Sequence, residues 1–359
     1  MSNFDEALER FHRVDFEYAD GLASHGPMAA QALVDLGHPA LIPAFVDRYV
    51  PRLPPARPGR VLRADERDAA RGDFERAPDW VATFEDALGR GEVGAVLRET
   101  LPGLLPGVFA AAGHGLLRTV HALRALEQED GPLRRGELAR GLAYWTARFA
   151  TLPGRPGAAA RPLGASGAPD RLTRLDEVRR LDPAPPPGET LVAASARLAG
   201  HASFRAVVEA LPLPAAEEVD DFLARLVRAG ARLYLARPAA RIAFAHAITI
   251  PAAARWLARR LSEGTDRVRL AGAAFQAVAA LQAMHGGPAA PEPADVEVRQ
   301  AVENWDEIRY RAACSLEEHA IKVAEACRRE DRERPHPDLR LAAADAALRL
   351  DGSRSAVRC

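Results

Sequence analysis

The chain contains one lysine. Lysine and arginine together number 48, so Lys322 leaves 47 arginines. A chain that uses arginine wherever a positive charge suffices gains from a lysine only what arginine lacks, a primary amine that can lose its proton when buried and act as a nucleophile. His319 lies three residues earlier in SLEEHAIKVAEACRRE, one helical turn away on the same face. An ordinary solvated helix face also fits, because Glu318 four residues before Lys322 and Glu325 three after it can form simple ion pairs. Ten histidines supply further chemistry. His12, His38, His201 and His336 stand in polar or proline-flanked surroundings and read as surface residues. His25, His114, His121, His246, His285 and His319 stand among small and apolar residues. His114 and His121 are seven residues apart, nearly two turns, so both rings leave one side of a continuous helix. A single histidine on an apolar face is usually a core residue bonded to a backbone carbonyl. Six in one helical protein suit an inward-facing metal site, which bundles build from several helices. Imidazole serves iron, copper, zinc and nickel alike, so ligand type does not select the metal. Glu303, Asp306 or Glu317 can add a carboxylate.

The elements that carry these residues are helical almost throughout. Apolar spacing near 3.6 predicts helices at Phe4–His12, Gly26–Leu36, Ala40–Leu53, Asp79–Leu88, Val93–Leu101, Gly115–Glu129 and Glu137–Leu152. Further helices are predicted at Leu191–Leu198, Phe204–Leu211, Ala215–Ala236, Arg241–Leu261, Val268–His285, Asp295–Tyr310, Arg311–Arg328 and Pro337–Arg349. Alternating strand patterns are absent, and no helical repeat period stands out. Pro153–Asp170, rich in proline and glycine, reads as a surface loop or lid, and Asp182–Gly188 is a second break. The expectation is an all-α, multi-helix single-domain bundle across residues 1–359.

Composition narrows the function. A net charge of −1 gives no nucleic-acid footprint. Cys314, Cys327 and Cys359 have neither disulfide nor zinc spacing. No run of about 18 apolar residues predicts a membrane span, and the polar N-terminus lacks a secretory signal pattern; a cytoplasmic protein is expected. No GxGxxG follows a strand, and GxxxxGK[ST], GxSxG and HExxH are missing, as is a Glu-x-x-His pair recurring in two helices.

Four blocks occur in a telling order between Phe11 and Cys327: FHRVDFEYADGLASHGPMAAQALVDLG, GHGLLRTVHALRAL, FAHAITI and EEHAIKVAEAC. Together they resemble the questin oxidase-like family. The resemblance implies an all-α oxygenase whose fungal relatives oxidise anthraquinones and related aromatic polyketides by Baeyer–Villiger-type or ring-opening chemistry, often described as NADPH-dependent. It implies a mononuclear non-haem Fe(II) that uses O2, held by His25, His114, His246 and His319 with a CO2-modified Lys322. Ser24 replaces the usual asparagine before the first histidine, and a hydroxyl reproduces only part of an amide's bonding. His121 and His285 rank as supporting or substrate-facing catalytic candidates. The chemistry suits the lysine: an ammonium cannot ligate a metal, whereas a neutral buried amine that adds CO2 becomes a long carboxylate. The expected function is an iron-dependent oxygenase of a quinone-like aromatic substrate. Two other readings stand beside it: a metal-independent, NADPH-assisted oxygenase with acid–base histidines, and a non-catalytic helical scaffold or binding protein.

Overall fold

The computed structural model describes residues 1–19, 21–160, 171–287 and 304–350. The fold is all-α with one small hairpin. Helix α1 (Asn3–His12) opens with a capping box between Ser2 and Asp5 and buries Phe4, Ala7, Leu8 and Phe11. The hairpin β1 (Glu17–Tyr18) and β2 (Leu22–Ala23) pairs Glu17 with Ala23 and Tyr18 with Leu22. The first half continues with α2 (Gly26–Asp35), α3 (Ile42–Tyr49), α4 (Arg67–Ala70), α5 (Ala77–Arg90), α6 (Val93–Leu104), α7 (His114–Gln128) and α8 (Pro132–Ala147). The second half holds α9 (Leu191–Ser195), α10 (Ala202–Glu209), α11 (Val219–Ala236), α12 (Arg241–Ala258), α13 (Gly264–His285), α14 (Trp305–Ser315), α15 (Glu318–Glu333) and α16 (Pro337–Arg349). Among the described residues, no single helix is long and apolar enough to cross a membrane.

Helix α12 is the centre. Nearly every residue from Ile242 to Ala258 is buried, including His246 and Arg255. A helix apolar all round belongs in a core, and α12 packs against α7, α11, α13 and α15. Its contact with α11 is backbone-close at Gly230, where a Cβ would stand 1.9 Å from the Ala247 carbonyl oxygen.

Helix α2 packs against both α7 and α15, and the three run the same way. At one end the rings of His25, His114 and His319 touch. At the other, Arg124 of α7 bonds Asp35 of α2 and Glu325 of α15. Ten residues separate His25 from Asp35, and ten separate His114 from Arg124, about 15 Å of helix in each case. Three helix N-termini therefore converge on the histidines.

The two predicted helices at Asp295–Tyr310 and Arg311–Arg328 need correcting, although residues 295–303 lie outside the described set. The chain stays helical through Tyr310 and breaks at Leu316, whose φ is 50°. Of the predicted lid, residues 161–170 lie outside the described set. Its start is tied down: Gly157 and Ala159 donate to the carbonyls of Val208 and Glu209, and Gln276 donates to those of Pro153 and Gly154.

Candidate metal centre

Four of the sequence-selected histidines come together. The His25 ring stacks on His114 at 4.5 Å between centroids and meets His319 edge-on at 4.6 Å. His246 lies 5.0 Å from His114 and 5.9 Å from His319. All four are buried.

Local structure aims each ring. His25 is the residue before the first turn of α2; its backbone N–H donates to the Tyr49 hydroxyl at 2.8 Å. Neither of its ring nitrogens has a hydrogen-bond partner. His114 opens α7 after an unusual turn in which Ala111, Ala112 and Gly113 all have positive φ, at 48°, 57° and 91°. A left-handed alanine costs about 1–2 kcal/mol. This turn brings the Ala111 carbonyl 2.6 Å from His114 Nδ1. His246, within α12, has its Nδ1 2.9 Å from the Ile242 carbonyl. His319 follows the left-handed Leu316, and its Nδ1 lies 2.8 Å from Oε1 of Glu317. The other oxygen of Glu317 accepts from the Ala320 N–H at the head of α15.

Those carbonyl partners fix tautomers. A carbonyl only accepts, so Nδ1 carries the hydrogen in both His114 and His246. Their Nε2 atoms then both bear lone pairs, and they face each other at 3.3 Å. Two lone pairs at that separation suit a shared cation. A proton is disfavoured: burial, followed by the charges of His246 and Lys322, pushes His114 well below its ordinary value. His25 is depressed likewise, by burial first and then by Lys322, His114, His319 and His246. Three helix N-termini oppose a bare positive charge further and favour neutral imidazole beside an anion.

Lys322 is buried on the face of α15 that follows Glu318. Its charge reaches His25, His114, His121 and Glu317. Glu325 does not account for the lysine, because Arg124 and Arg329 bond its carboxylate. Glu318 departs from its sequence reading. It sits with His25 and His319 in a buried group whose potential ligand atoms all lie within 4.8 Å of one another. Arg52 reaches it at 3.6 Å while stacking over Tyr18 and Tyr49. The only sequence signal for Glu318 was adjacency to His319.

His121 is buried near the group but outside its ring contacts. Its Nδ1 donates to Oε1 of Gln31 at 2.6 Å, and Gln31 donates on to Asp35 at 2.6 Å. Burial and Arg124 hold it well below its ordinary value. His285 is not brought to the cluster. It ends α13 with an unpartnered Nε2, depressed to about 4 by burial and Arg180. Glu303 lies outside the described residues, and Asp306 is paired with Arg309.

The four histidines read as surface residues are half-buried instead. His12 approaches Glu137 at 3.4 Å. His201 and His336 use ring nitrogens to accept first-turn N–H groups, those of Phe204 in α10 and Asp338 in α16, which explains polar-flanked histidines at helix starts.

These shifts have a pH consequence. His25, His114 and His121 stay neutral in the fold but titrate near 6.5 when unfolded. The unfolded chain therefore binds more protons as pH falls through 6.5, and stability is lost on the acid side. We expect the metal-free chain to lose about 1.4 kcal/mol per pH unit for each such group between about pH 6.5 and about pH 5. Denaturant titrations across that window measure this, and a flat profile would refute it.

Compared with models of known protein families and with curated proteins, the chain matches none. The family resemblance rests on the four sequence blocks.

Proposed function

We propose that this protein is a mononuclear non-haem iron oxygenase of the questin oxidase-like kind, acting on a quinone-like aromatic. One observation carries the metal: the paired Nε2 lone pairs of His114 and His246, buried 3.3 Å apart with both Nδ1 positions bonded to carbonyls. Two nitrogens each about 2.0–2.1 Å from one ion stand roughly 2.8–3.4 Å apart between octahedral and tetrahedral angles, and 3.3 Å falls at the tetrahedral end. His25, with two unpartnered ring nitrogens, and His319, oriented by the Glu317 carboxylate, complete an imidazole set. Bound iron would supply O2 activation and Lewis acidity.

The chain's own residues do the rest. Once its ammonium has lost a proton to solvent, Nζ of Lys322 attacks CO2; an N–C bond forms, one C–O π bond opens onto oxygen, and the nitrogen releases a second proton to solvent. The product is an anionic oxygen donor reaching in from α15. Its charge suits three converging helix N-termini. Glu318 stands at the same group and can supply a second carboxylate. His121, with Nδ1–H committed to Gln31, offers a neutral Nε2 as proton acceptor toward a hydroxyquinone.

Metal analysis and oxygen-electrode assays of the purified protein with hydroxyanthraquinones test the reading. It expects about one iron per chain and quinone-dependent O2 uptake that is lost on chelation and restored by Fe(II). Full activity in demonstrably metal-free protein would sink it in favour of the acid–base, NADPH-assisted reading. Metal-free and inactive protein would leave a helical binding protein.

A further inference from the structure

A cavity of about 460 Å³ opens at the far end of the three parallel helices, lined by Asp35, Leu36, Arg124, Glu325, Arg328, Arg329, Arg332 and Glu333. Its charges do not balance. Asp35 and Glu325 are bonded by Arg124, and Glu325 also by Arg329. Glu333 is bonded outward by Arg259 at both nitrogens and approached by Arg255 at 3.1 Å. That leaves two arginines without a carboxylate. Arg328 makes one hydrogen bond, from Nη1 to the Asp35 carbonyl at 3.2 Å. Arg332 has no ion pair among the described residues.

Capping of α2 explains one of the five donors of Arg328 and none of those of Arg332. Burial, then Arg309 and Arg332, depress the Arg328 guanidinium, against the pull of Asp306 and Glu325. We infer that this cavity is an anion site for a dianionic phosphate group, free or carried on an organic ligand, clamped by Arg328 and Arg332 over the Arg124–Glu325 floor. Two planar guanidinium forks suit the bidentate recognition of phosphate oxygens. The size is that of a small-ligand pocket. The site is separate from the histidine cluster and stands whether or not that cluster holds iron. Hydrogen bonds lead from its floor through Asp35 and Gln31 to His121, beside that cluster.

Calorimetric titration with inorganic phosphate, pyrophosphate and adenosine monophosphate, with chloride keeping ionic strength constant, tests this. Wild-type protein should bind at least one of the three. The Arg328→Gln/Arg332→Gln double variant should bind it at least about tenfold more weakly, with an unchanged melting temperature in chloride. Preference for adenosine monophosphate over inorganic phosphate would assign the anion to an organic ligand, and the reverse to free phosphate. Should the double variant unfold, Arg332→Gln alone, at an exposed position, must still weaken binding. No binding of any probe by wild type, or equal binding by a folded variant, overturns the inference.

Discussion

The Lys322→Arg variant is expected to fold and to lose its metal. The substitution keeps the positive charge of the unmodified side chain, so a purely electrostatic role on α15 would survive it. A ligand role cannot, because a guanidinium does not deprotonate in proteins and cannot take up CO2. It would also place a fixed cation beside His25 and His114, whose basicity already responds to the charge of Lys322. Metal affinity should fall at least about 100-fold, the upper end of what losing even an outer partner of a ligand costs. Equilibrium dialysis against Fe(II), with circular dichroism as the folding check, measures it. Arginine is longer than the buried lysine, so Lys322→Met serves as a second variant of similar length; it should also lose metal while remaining folded. In the wild type, carbon-13 bicarbonate should give a carbamate resonance absent from both variants. Retention of one iron by folded Lys322→Arg would remove the lysine from the metal site.

Gly230→Ala should destabilise the chain by about 3 kcal/mol or more, beyond the usual range for a surface change. The added Cβ meets the Ala247 carbonyl oxygen at 1.9 Å and its carbon at 2.6 Å. Both belong to the backbone of the central helix, so no side chain can swing aside. Either α11 and α12 separate or α12 shifts, and His246 is the residue next to Ala247. Metal affinity should fall together with the unfolding midpoint, although residue 230 touches no histidine. Gly89→Ala, with nothing within 4 Å of the new Cβ and a site inside α5, is the control; it should be neutral or stabilising by up to about 1 kcal/mol. Equal melting temperatures for wild type and Gly230→Ala would show that the two helices are not held this closely.

Much of this architecture could be read from residue spacing because long amphipathic helices are written locally. The last helix, Pro337–Arg349, has the predicted limits, with a proline inside its start. What the spacing missed is held by tertiary contacts. No glycine or proline marks the break at Leu316, whose left-handed backbone joins the packed helices α14 and α15. The turn at Ala111–Gly113 reads in sequence as a run of small residues ahead of a helix. The hairpin at Glu17–Ala23 has strands too short to show alternation. The convergence of His25, His114, His246 and His319 was visible only as burial-type surroundings in four blocks. Their shared point in space depends on α2, α7 and α15 running parallel, which periodicity within one helix cannot encode. Glu318 and His285 show that limit from both sides: one looked peripheral and joins the group, the other looked buried and stands apart.

The four rings come from α2, α7, α12 and α15, which puts the last contributor close to the end of the described chain. During synthesis the first three arrive long before the fourth. Until α15 emerges, the faces of α2 and α12 that it will cover stay open, and the sole lysine does not yet exist. Contacts between residues so distant in sequence close the largest loops in the molecule and form late. The four-ring cluster is therefore complete only once α15 has docked. A chain truncated before Glu318 keeps His25, His114 and His246 but lacks both His319 and Lys322.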